Sequence, residues 1–307
     1  MSENNKKTFE GFQSGHNACA GCGAAIAMRH ITKVVDECVG KNAVYTIATG
    51  CMEVVSTAYP LTAWNVPMIH SAFENAAATA SGISASLKMQ GKGNESIVVA
   101  IAGDGGCFDI GLQALSGMLE RKHKVLFICY DNEAYMNTGV QRSGATPEHA
   151  VTSTSPLGKK IHGKVEEKKN MPFIVASHGN VYVATASVGY LEDFKGKIRK
   201  AIKFMQENDS PAYIQVLCPC IPGWKMASNI TMELAKKAVS SKIYPLFEIM
   251  NGKIMLQEFL ESSLKDYLSL QGRFSGLNEK DIAEIKNQID ENYKKLENIS
   301  KCKHRIF

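Results

Sequence analysis

No stretch of this 307-residue chain is long and apolar enough to span a bilayer. Its longest strongly apolar run, Ile97 to Ala102, has the length of a buried strand. The opening residues, Met1 to Gly15, are polar and lack the apolar core of a secretory signal. Low-complexity tracts and internal repeats are also missing, which argues against disordered and repeat architectures. Charge of one sign is not concentrated anywhere. The 35 Lys and Arg against 30 Asp and Glu leave a net charge of only +5, with the basic residues scattered, so no nucleic-acid footprint stands out. The expectation is a cytoplasmic chain that engages neither membrane nor nucleic acid. Its mild positive balance would at most help attract an acidic redox partner.

What is present is enough for a large core: 45% of the residues are apolar and 21% charged. Ala24 to Glu37 has helical spacing, and Asn42 to Thr49 reads as a strand ending at Gly50-Cys51. Ser71 to Met89 is crowded with Ala, Ser and Gly, which predicts a helix buried against the sheet or a partner chain. Three strand–turn–helix units then repeat the grammar of a parallel sheet. Their strands are Ser96–Ala102, Val125–Tyr130 and Val181–Thr185; the helices after the first and third are Asp109–Arg121 and Tyr190–Asn208. A long polar loop, about Thr138 to Met171, follows the second strand, and loops of this length are usually functional. Ala212 to Leu217 is a last strand, breaking at Cys218-Pro219-Cys220. Asn278 to Ser300 alternates Ile and Leu with charges at helical spacing. The expected architecture is α/β, a doubly wound and mostly parallel sheet over residues 1–228, with a helical C-terminal extension over 229–307.

One regularity carries the functional reading. Gly50-Cys51, Gly103-Asp104-Gly105, Asp131-Asn132 and Pro219-Cys220 each follow the C-terminal end of a predicted strand, the edge that lines the ligand crevice in open parallel sheets. Gly103-Asp104-Gly105 is followed by 26 residues and then Asn132. The Asp104 carboxylate and the Asn132 amide oxygen, at the ends of neighbouring strands, can supply two oxygens to a hard cation such as magnesium, and the carbonyl of Ala134 a third. The glycines, Gly106 included, let backbone N–H groups approach a diphosphate, with the N-terminus of the helix near Asp109 behind them. A lone Gly-Asp-Gly is a common turn; the flanking strand and helix and the distant Asn lift it above that. The spacing resembles the fingerprint of thiamine diphosphate sites. Neither Gly-x-Gly-x-x-Gly after a strand nor a Walker lysine is present.

Nine cysteines in a reducing compartment do not make a disulfide framework. Cys19 and Cys22 form a C-x-x-C in a glycine-rich turn, and Cys51 and a cysteine near residue 220 stand at strand ends. Four such thiolates suit a 4Fe-4S cluster or a tetrahedral zinc. Alternation along Ile214 to Cys220 puts Cys218 and Cys220 on one face and leaves the fourth ligand open between them. Cys38 reads as core, Cys129 as strand interior and Cys302 as tail. Cys107, close behind the Gly-Asp-Gly turn, is a candidate for lining the cofactor site.

Several long runs resemble a known family. Gly103-Asp104-Gly105-Gly106-Cys107-Phe108-Asp109-Ile110-Gly111 and Tyr130-Asp131-Asn132-Glu133-Ala134-Tyr135-Met136-Asn137-Thr138-Gly139-Val140-Gln141-Arg142-Ser143 are similar to the beta subunits of pyruvate:ferredoxin oxidoreductases. So are His16 to Gly23, Ala48 to Val55, Pro219 to Trp224, and Leu270 to Phe274. The resemblance implies the thiamine diphosphate-binding fold of the 2-oxoacid:ferredoxin oxidoreductase family. It assigns Cys19, Cys22, Cys51 and Cys220 to the 4Fe-4S cluster, and Asp104, Asn132 and Ala134 to magnesium. Gly50, Cys51, Gly103 to Cys107, Tyr135, Met136 and Asn137 would line the cofactor, with Asn137 and Thr138 against the reacting carbon. The implied reaction is oxidative decarboxylation of pyruvate with coenzyme A, giving acetyl-CoA and CO2 and sending electrons through the cluster to ferredoxin. Branched-chain 2-oxoacids or oxalate are the alternative substrates; a non-redox thiamine enzyme and a zinc-stabilised binding module are the rivals from other classes. Alpha-, gamma- and delta-type subunits are the implied partners, the alpha chain supplying the acid that activates the aminopyrimidine. Glu53 and Glu74 read as structural here. Ala24 departs from the pattern, since many relatives carry Glu directly after C-x-x-C-G.

Overall fold

In the computed structural model of the chain, residues 10–158, 162–302 and 305–306 are described; residues 1–9 of the polar leader and 159–161 of the long loop lie outside them. The chain opens with helix α1 (Gly23–Val39), strand β1 (Ala43–Ala48), helix α2 (Cys51–Ser56) and strand β2 (Met68–Ser71). Helix α3 (Ala76–Met89) leads into β3 (Ile97–Gly103), one π-helical turn (Gly105–Asp109), α4 (Leu112–Glu120) and β4 (Val125–Asp131). After the long connection come α5 (Met171–Ala176), β5 (Tyr182–Ser187), α6 (Leu191–Asn208) and β6 (Ala212–Leu217). The remainder contributes α7 (Ile221–Trp224), α8 (Thr231–Ser240), the hairpin β7 (Phe247–Met250) and β8 (Lys253–Leu256), α9 (Leu264–Ser269) and α10 (Glu279–Ser300).

The eight strands form one sheet in the order β2-β1-β3-β4-β6-β5-β7-β8. The first six in that order run parallel; β7 and β8 are antiparallel additions at one edge. The central strands read as unbroken apolar runs because both of their faces are covered. Ile97, Val99 and Ile101 point into a core with Met28 and Ile31 of α1 and Ile198 of α6. Val98, Ala100 and Ala102 point the other way, against Ala77 and Ala80 of α3 and Leu115 and Met118 of α4. A third cluster gathers Trp224, Leu234, Tyr267, Phe274 and Ile285 of the C-terminal region. The doubly wound expectation therefore holds. From β1 the chain turns to β2 on one side and reaches β3 on the other, which opens a crevice at the C-terminal ends of those strands.

Four local expectations differ from the structure. The segment 229–307 contains two strands of the main sheet besides its helices; each has only four residues, too short for an apolar run to announce it. Ser71 ends β2 rather than starting a helix, and α3 buries one face while Ala78, Gly82 and Ala85 stay exposed. Helical backbone begins at Gly105, not near Asp109, so the first turn lies directly under the Gly-Asp-Gly corner. Cys38 is exposed at the end of α1 rather than core, because its position on the helix turns it away from the sheet. Among the described residues no helix is long and apolar enough to cross a membrane.

Candidate cofactor and cluster site

The C-terminal ends of β1, β3 and β4 surround a cleft lined by Thr49, Gly50, Cys51, Phe73, Gly103 to Gly105, Tyr130, Asn132 and Ala134 to Thr138. Parallel pairing sets this meeting. Gly103 is in register with Tyr130 and Ile101 with Ile47, so all three strands run out at one level. A side chain at Gly105 would place its Cβ 2.4 Å from the Tyr135 ring. Tyr135 in turn donates to Asp109 Oδ2 at 2.8 Å and meets Phe73 edge-on. The glycine is what lets this wall close on the corner.

Three oxygens converge at the floor. The Asn132 amide ends 2.8 Å from Asp104 Oδ1 and 2.8 Å from the Ala134 carbonyl oxygen. With the amide oxygen inward, three acceptors face one another without a donor, an arrangement that a cation relieves; turned over, the amide NH2 donates to both. Octahedral magnesium with ligands at about 2.0–2.1 Å puts neighbouring oxygens about 2.9 Å apart, which matches this spacing. The Asp104 carboxyl is fully buried and takes a 2.5 Å hydrogen bond from the Ser143 hydroxyl on Oδ2. Burial and the nearby Asp131 push its pKa well above the usual carboxylate range, against the Ser143 bond and Lys168. A bound divalent cation would reverse that and keep it ionised.

Glu133, between the two would-be magnesium ligands, sits in the left-handed region at φ 69°. Its carboxylate accepts from Lys168 Nζ at 2.7 Å and from Arg273 Nη2 at 2.6 Å. Burial alone would raise its pKa; Lys168 and Arg273 outweigh that and hold it below the ordinary range. Asp131 shares Lys168 at 2.6 Å and accepts from Gln215 Nε2 at 2.6 Å. The charges under the loop are thus paired.

Thiols gather at the same rim. Burial pushes Cys51 up to about 12, with Cys220, Cys22, Asp104 and Cys19 adding to it. Burial likewise pushes Cys220 up to about 12, reinforced by Cys22 and Cys19 and opposed by the Gly223 N–H. Cys22 is raised by burial although the N–H groups of Ala25 and Ala24 point at its sulfur. Gly23 N donates to the Pro219 carbonyl at 3.2 Å, holding the C-x-x-C turn beside the Cys220 segment. Cys51 starts α2 and also lines the cleft. Thiols at such values need a metal to draw off their protons. Among the described residues no three His, Cys, Asp or Glu side chains are close enough to hold a single ion. Cys19, Cys22, Cys51 and Cys220 would hold an iron–sulfur cluster or a zinc ion through their thiolates, and the cluster alone would add one-electron chemistry beside the cleft. Buried N–H donors aimed at the sulfurs fit that chemistry.

Not every sequence candidate reaches the site. Cys107 is fully buried on the α4 side of the sheet, with its sulfur 3.5 Å from the Tyr213 hydroxyl, and Gly106 packs against the Phe73 carbonyl. Cys107 stands behind the cleft wall because the π-helical turn starts immediately at Gly105 and turns its side chain inward. Cys218 is also fully buried, its N–H bonded to the Asp131 carbonyl, while Cys220 caps α7 and is only partly buried. The β-alternation that grouped the two ends at Leu217. Asn137 and Thr138 do line the cleft, on an exposed turn closed by a 2.8 Å bond from Gln141 Nε2 to the Thr138 carbonyl.

Sequence reasoning passed over Thr49, Phe73, Tyr130, Ser143, Lys168 and Trp224 as site residues. Thr49 stands 2.9 Å from His70 Nε2, and His70 Nδ1 lies 3.3 Å from Glu53 Oε1, so Glu53 is a buried support for the rim. Thr49, Tyr130, Ser143, Trp224 and Arg273 lay inside motif runs that carry the resemblance, with no role assigned to them there. Lys168 had no local signal at all.

The chain is similar to several known proteins. Residues 48–216 match the family model of the thiamine pyrophosphate enzyme C-terminal TPP-binding domain. The pyruvate synthase subunit PorB of Methanocaldococcus jannaschii is 50% identical, covering 94% of this chain and 96% of its own length. The PorB subunit of Pyrococcus furiosus is 47% identical, covering 94% of each. The ketoisovalerate oxidoreductase subunit VorB of Pyrococcus abyssi is 41% identical over 95% of this chain and 94% of its own. The solved 2-oxoglutarate:ferredoxin oxidoreductase of Magnetococcus marinus superposes with a TM-score of 0.59 at 18% identity, covering 92% and 97% of the two chains, which shows a shared fold.

Proposed function

The chain belongs to the family of pyruvate synthase PorB subunits, the beta subunits of 2-oxoacid:ferredoxin oxidoreductases, and from that premise we propose that it binds magnesium–thiamine diphosphate and one 4Fe-4S cluster to oxidise pyruvate with coenzyme A. The observation that carries this reading is the Asn132 amide end standing 2.8 Å from both the Asp104 carboxylate and the Ala134 carbonyl, in a cleft that Cys51 also lines. Bound here, the cofactors would supply a thiazolium carbon that attacks the ketone of the 2-oxoacid and an iron–sulfur centre that takes electrons singly. The chain's own contribution is positioning. Ser143 orients Asp104, the π-helical turn directs N–H groups toward a diphosphate, and the Tyr135–Phe73 wall excludes water. Asn137 and Thr138, on the open side, are placed to meet the substrate carbonyl.

Pyruvate is favoured over a branched-chain 2-oxoacid by the higher identity to PorB chains than to VorB. Electrons leave to ferredoxin through further clusters on gamma- or delta-type partner subunits, since this chain has no second C-x-x-C. An alpha subunit completes the cofactor site, and the assembly works in the cytoplasm, where thiols stay reduced. The test is anaerobic purification of the native complex, analysis of thiamine diphosphate, magnesium, iron and sulfide, and coenzyme A-dependent dye reduction with a panel of 2-oxoacids. Four iron and four sulfide attributable to this chain, with pyruvate the best substrate, are expected. Zinc in their place, or turnover independent of coenzyme A, would overturn the reading.

A further inference from the structure

Between the oxygen triad and the Cys220 thiol lies a continuous rigid connection. Helix α7 has four residues; Cys220 caps its start and Trp224 ends it. The Trp224 indole donates to the Asn132 carbonyl at 2.8 Å. Arg273, only 2% exposed, stacks on the Trp224 ring at 3.8 Å and donates to Glu133 at 2.6 Å. Gln271 fixes the same guanidinium through Nε at 2.9 Å. Glu133 is the left-handed residue that sets where the Asn132 side chain and the Ala134 carbonyl stand relative to each other. A non-glycine residue keeps that conformation only when its surroundings hold it there. On the cleft side, Met136 packs so closely on Gly223 that a Cβ there would fall 2.1 Å from its sulfur and 3.4 Å from Cys220 Sγ.

We propose that Arg273, through its stack on Trp224 and its bond to Glu133, is a positioning residue that couples the magnesium–diphosphate site to the cluster site, so that filling one tightens the other. The inference rests on the function proposed above. Its physical basis is that one planar cation is shared by the two loops. Any shift of Glu133 as the oxygen triad closes on an ion moves the guanidinium, and the guanidinium lies flat on the ring that anchors α7 and hence Cys220. A lysine could pair with Glu133 but could not stack in this way.

Linkage makes the effect measurable without turnover. The native complex is prepared anaerobically with and without the cluster of this chain, and magnesium-dependent binding of thiamine diphosphate is titrated calorimetrically in both states. Wild-type protein is expected to bind about tenfold more weakly without the cluster, within the usual range of coupling between sites. In Arg273→Met, and in Trp224→Phe, which removes only the indole donor and preserves most of the packing, the two affinities should converge to within twofold. Arg273→Lys should behave like Arg273→Met. A wild-type ratio near one, or a tenfold ratio that survives in Trp224→Phe and Arg273→Met, would overturn the coupling. Wild-type protein that retains no iron, or binds thiamine diphosphate without magnesium, would instead overturn the functional reading beneath it.

Discussion

At the scale of single residues, two side chains separate positioning from ligation. The Ser143 hydroxyl makes a short bond to the buried Asp104 carboxylate and also accepts from the Ala145 N–H at 3.1 Å. A hydrogen bond to a charged group contributes about 1.5–3 kcal/mol. Ser143→Ala should therefore weaken magnesium-dependent thiamine diphosphate binding by tenfold or more while leaving iron content unchanged, as titration calorimetry and iron analysis on one preparation would show. Unaltered affinity would mean that Asp104 is held by other groups. Cys218 and Cys220 make a second pair. Cys218 is fully buried within the apolar core rather than on the rim, so Cys218→Ser should retain the cluster and cost about 1 kcal/mol in denaturant unfolding for the buried hydroxyl. Cys220→Ser should lose most of the iron instead. The reverse pattern would move the fourth ligand to the core side of the sheet.

At the scale of elements, a buried amine ties two stretches of the long connection after β4 to each other. Lys164 is 2% exposed and donates to the Thr146 carbonyl at 2.7 Å and the Glu167 carbonyl at 3.1 Å. Burial, with Arg142 adding to it, lowers its pKa to about 8. The folded value lies below the unfolded one, near 10.4. Between them the folded chain binds fewer protons, so the stability that Lys164 withholds below pH 8 is recovered as pH rises through that window. Wild type should gain of order 1–3 kcal/mol relative to Lys164→Met between pH 7.5 and about 10. Denaturant unfolding of both proteins at several pH values isolates the difference, and parallel curves would refute it. Sequence reasoning saw this connection only as long and polar. It could not find Lys164 because the lysine's partners are backbone carbonyls, which carry no residue signature. The parallel strands were legible for the opposite reason: burial on both faces forces unbroken apolar runs, and Ala212–Leu217 was placed to the residue. The strand-end clusters followed from those strands. Thr49 and Tyr130 stood inside the motif runs and Phe73 outside them, but their part in the cleft wall stayed hidden because a wall is made by neighbours across strands, and spacing along the chain says nothing of that.

At the scale of the whole molecule, the sheet and the site both depend on the C-terminal region that the sequence set apart as an extension over 229–307. Strand β7 pairs with β5 through Val183–Ile249 and Ala184–Glu248 and covers what would otherwise be an open edge. Glu248 is buried there, accepting from the Tyr182 hydroxyl at 2.6 Å and from Lys200 at 2.7 Å. Leu234, Tyr267 and Phe274 cover Trp224, and Arg273 neutralises half the charge around Glu133. Breaking a buried ion pair by removing one partner costs about 3–5 kcal/mol, against a total stability of about 5–15 kcal/mol for a typical domain. Residues 1–228 expressed alone would lose that pair, one sheet edge's partner and the third apolar cluster together. The full chain should unfold in a single thermal transition, and the fragment 1–228 should show none and bind no magnesium–thiamine diphosphate, measured by circular dichroism and calorimetry. A fragment that melted cooperatively and still bound the cofactor would mean that the loop at Asn132 to Ala134 keeps its shape without Arg273, and that the two parts are separate folding units.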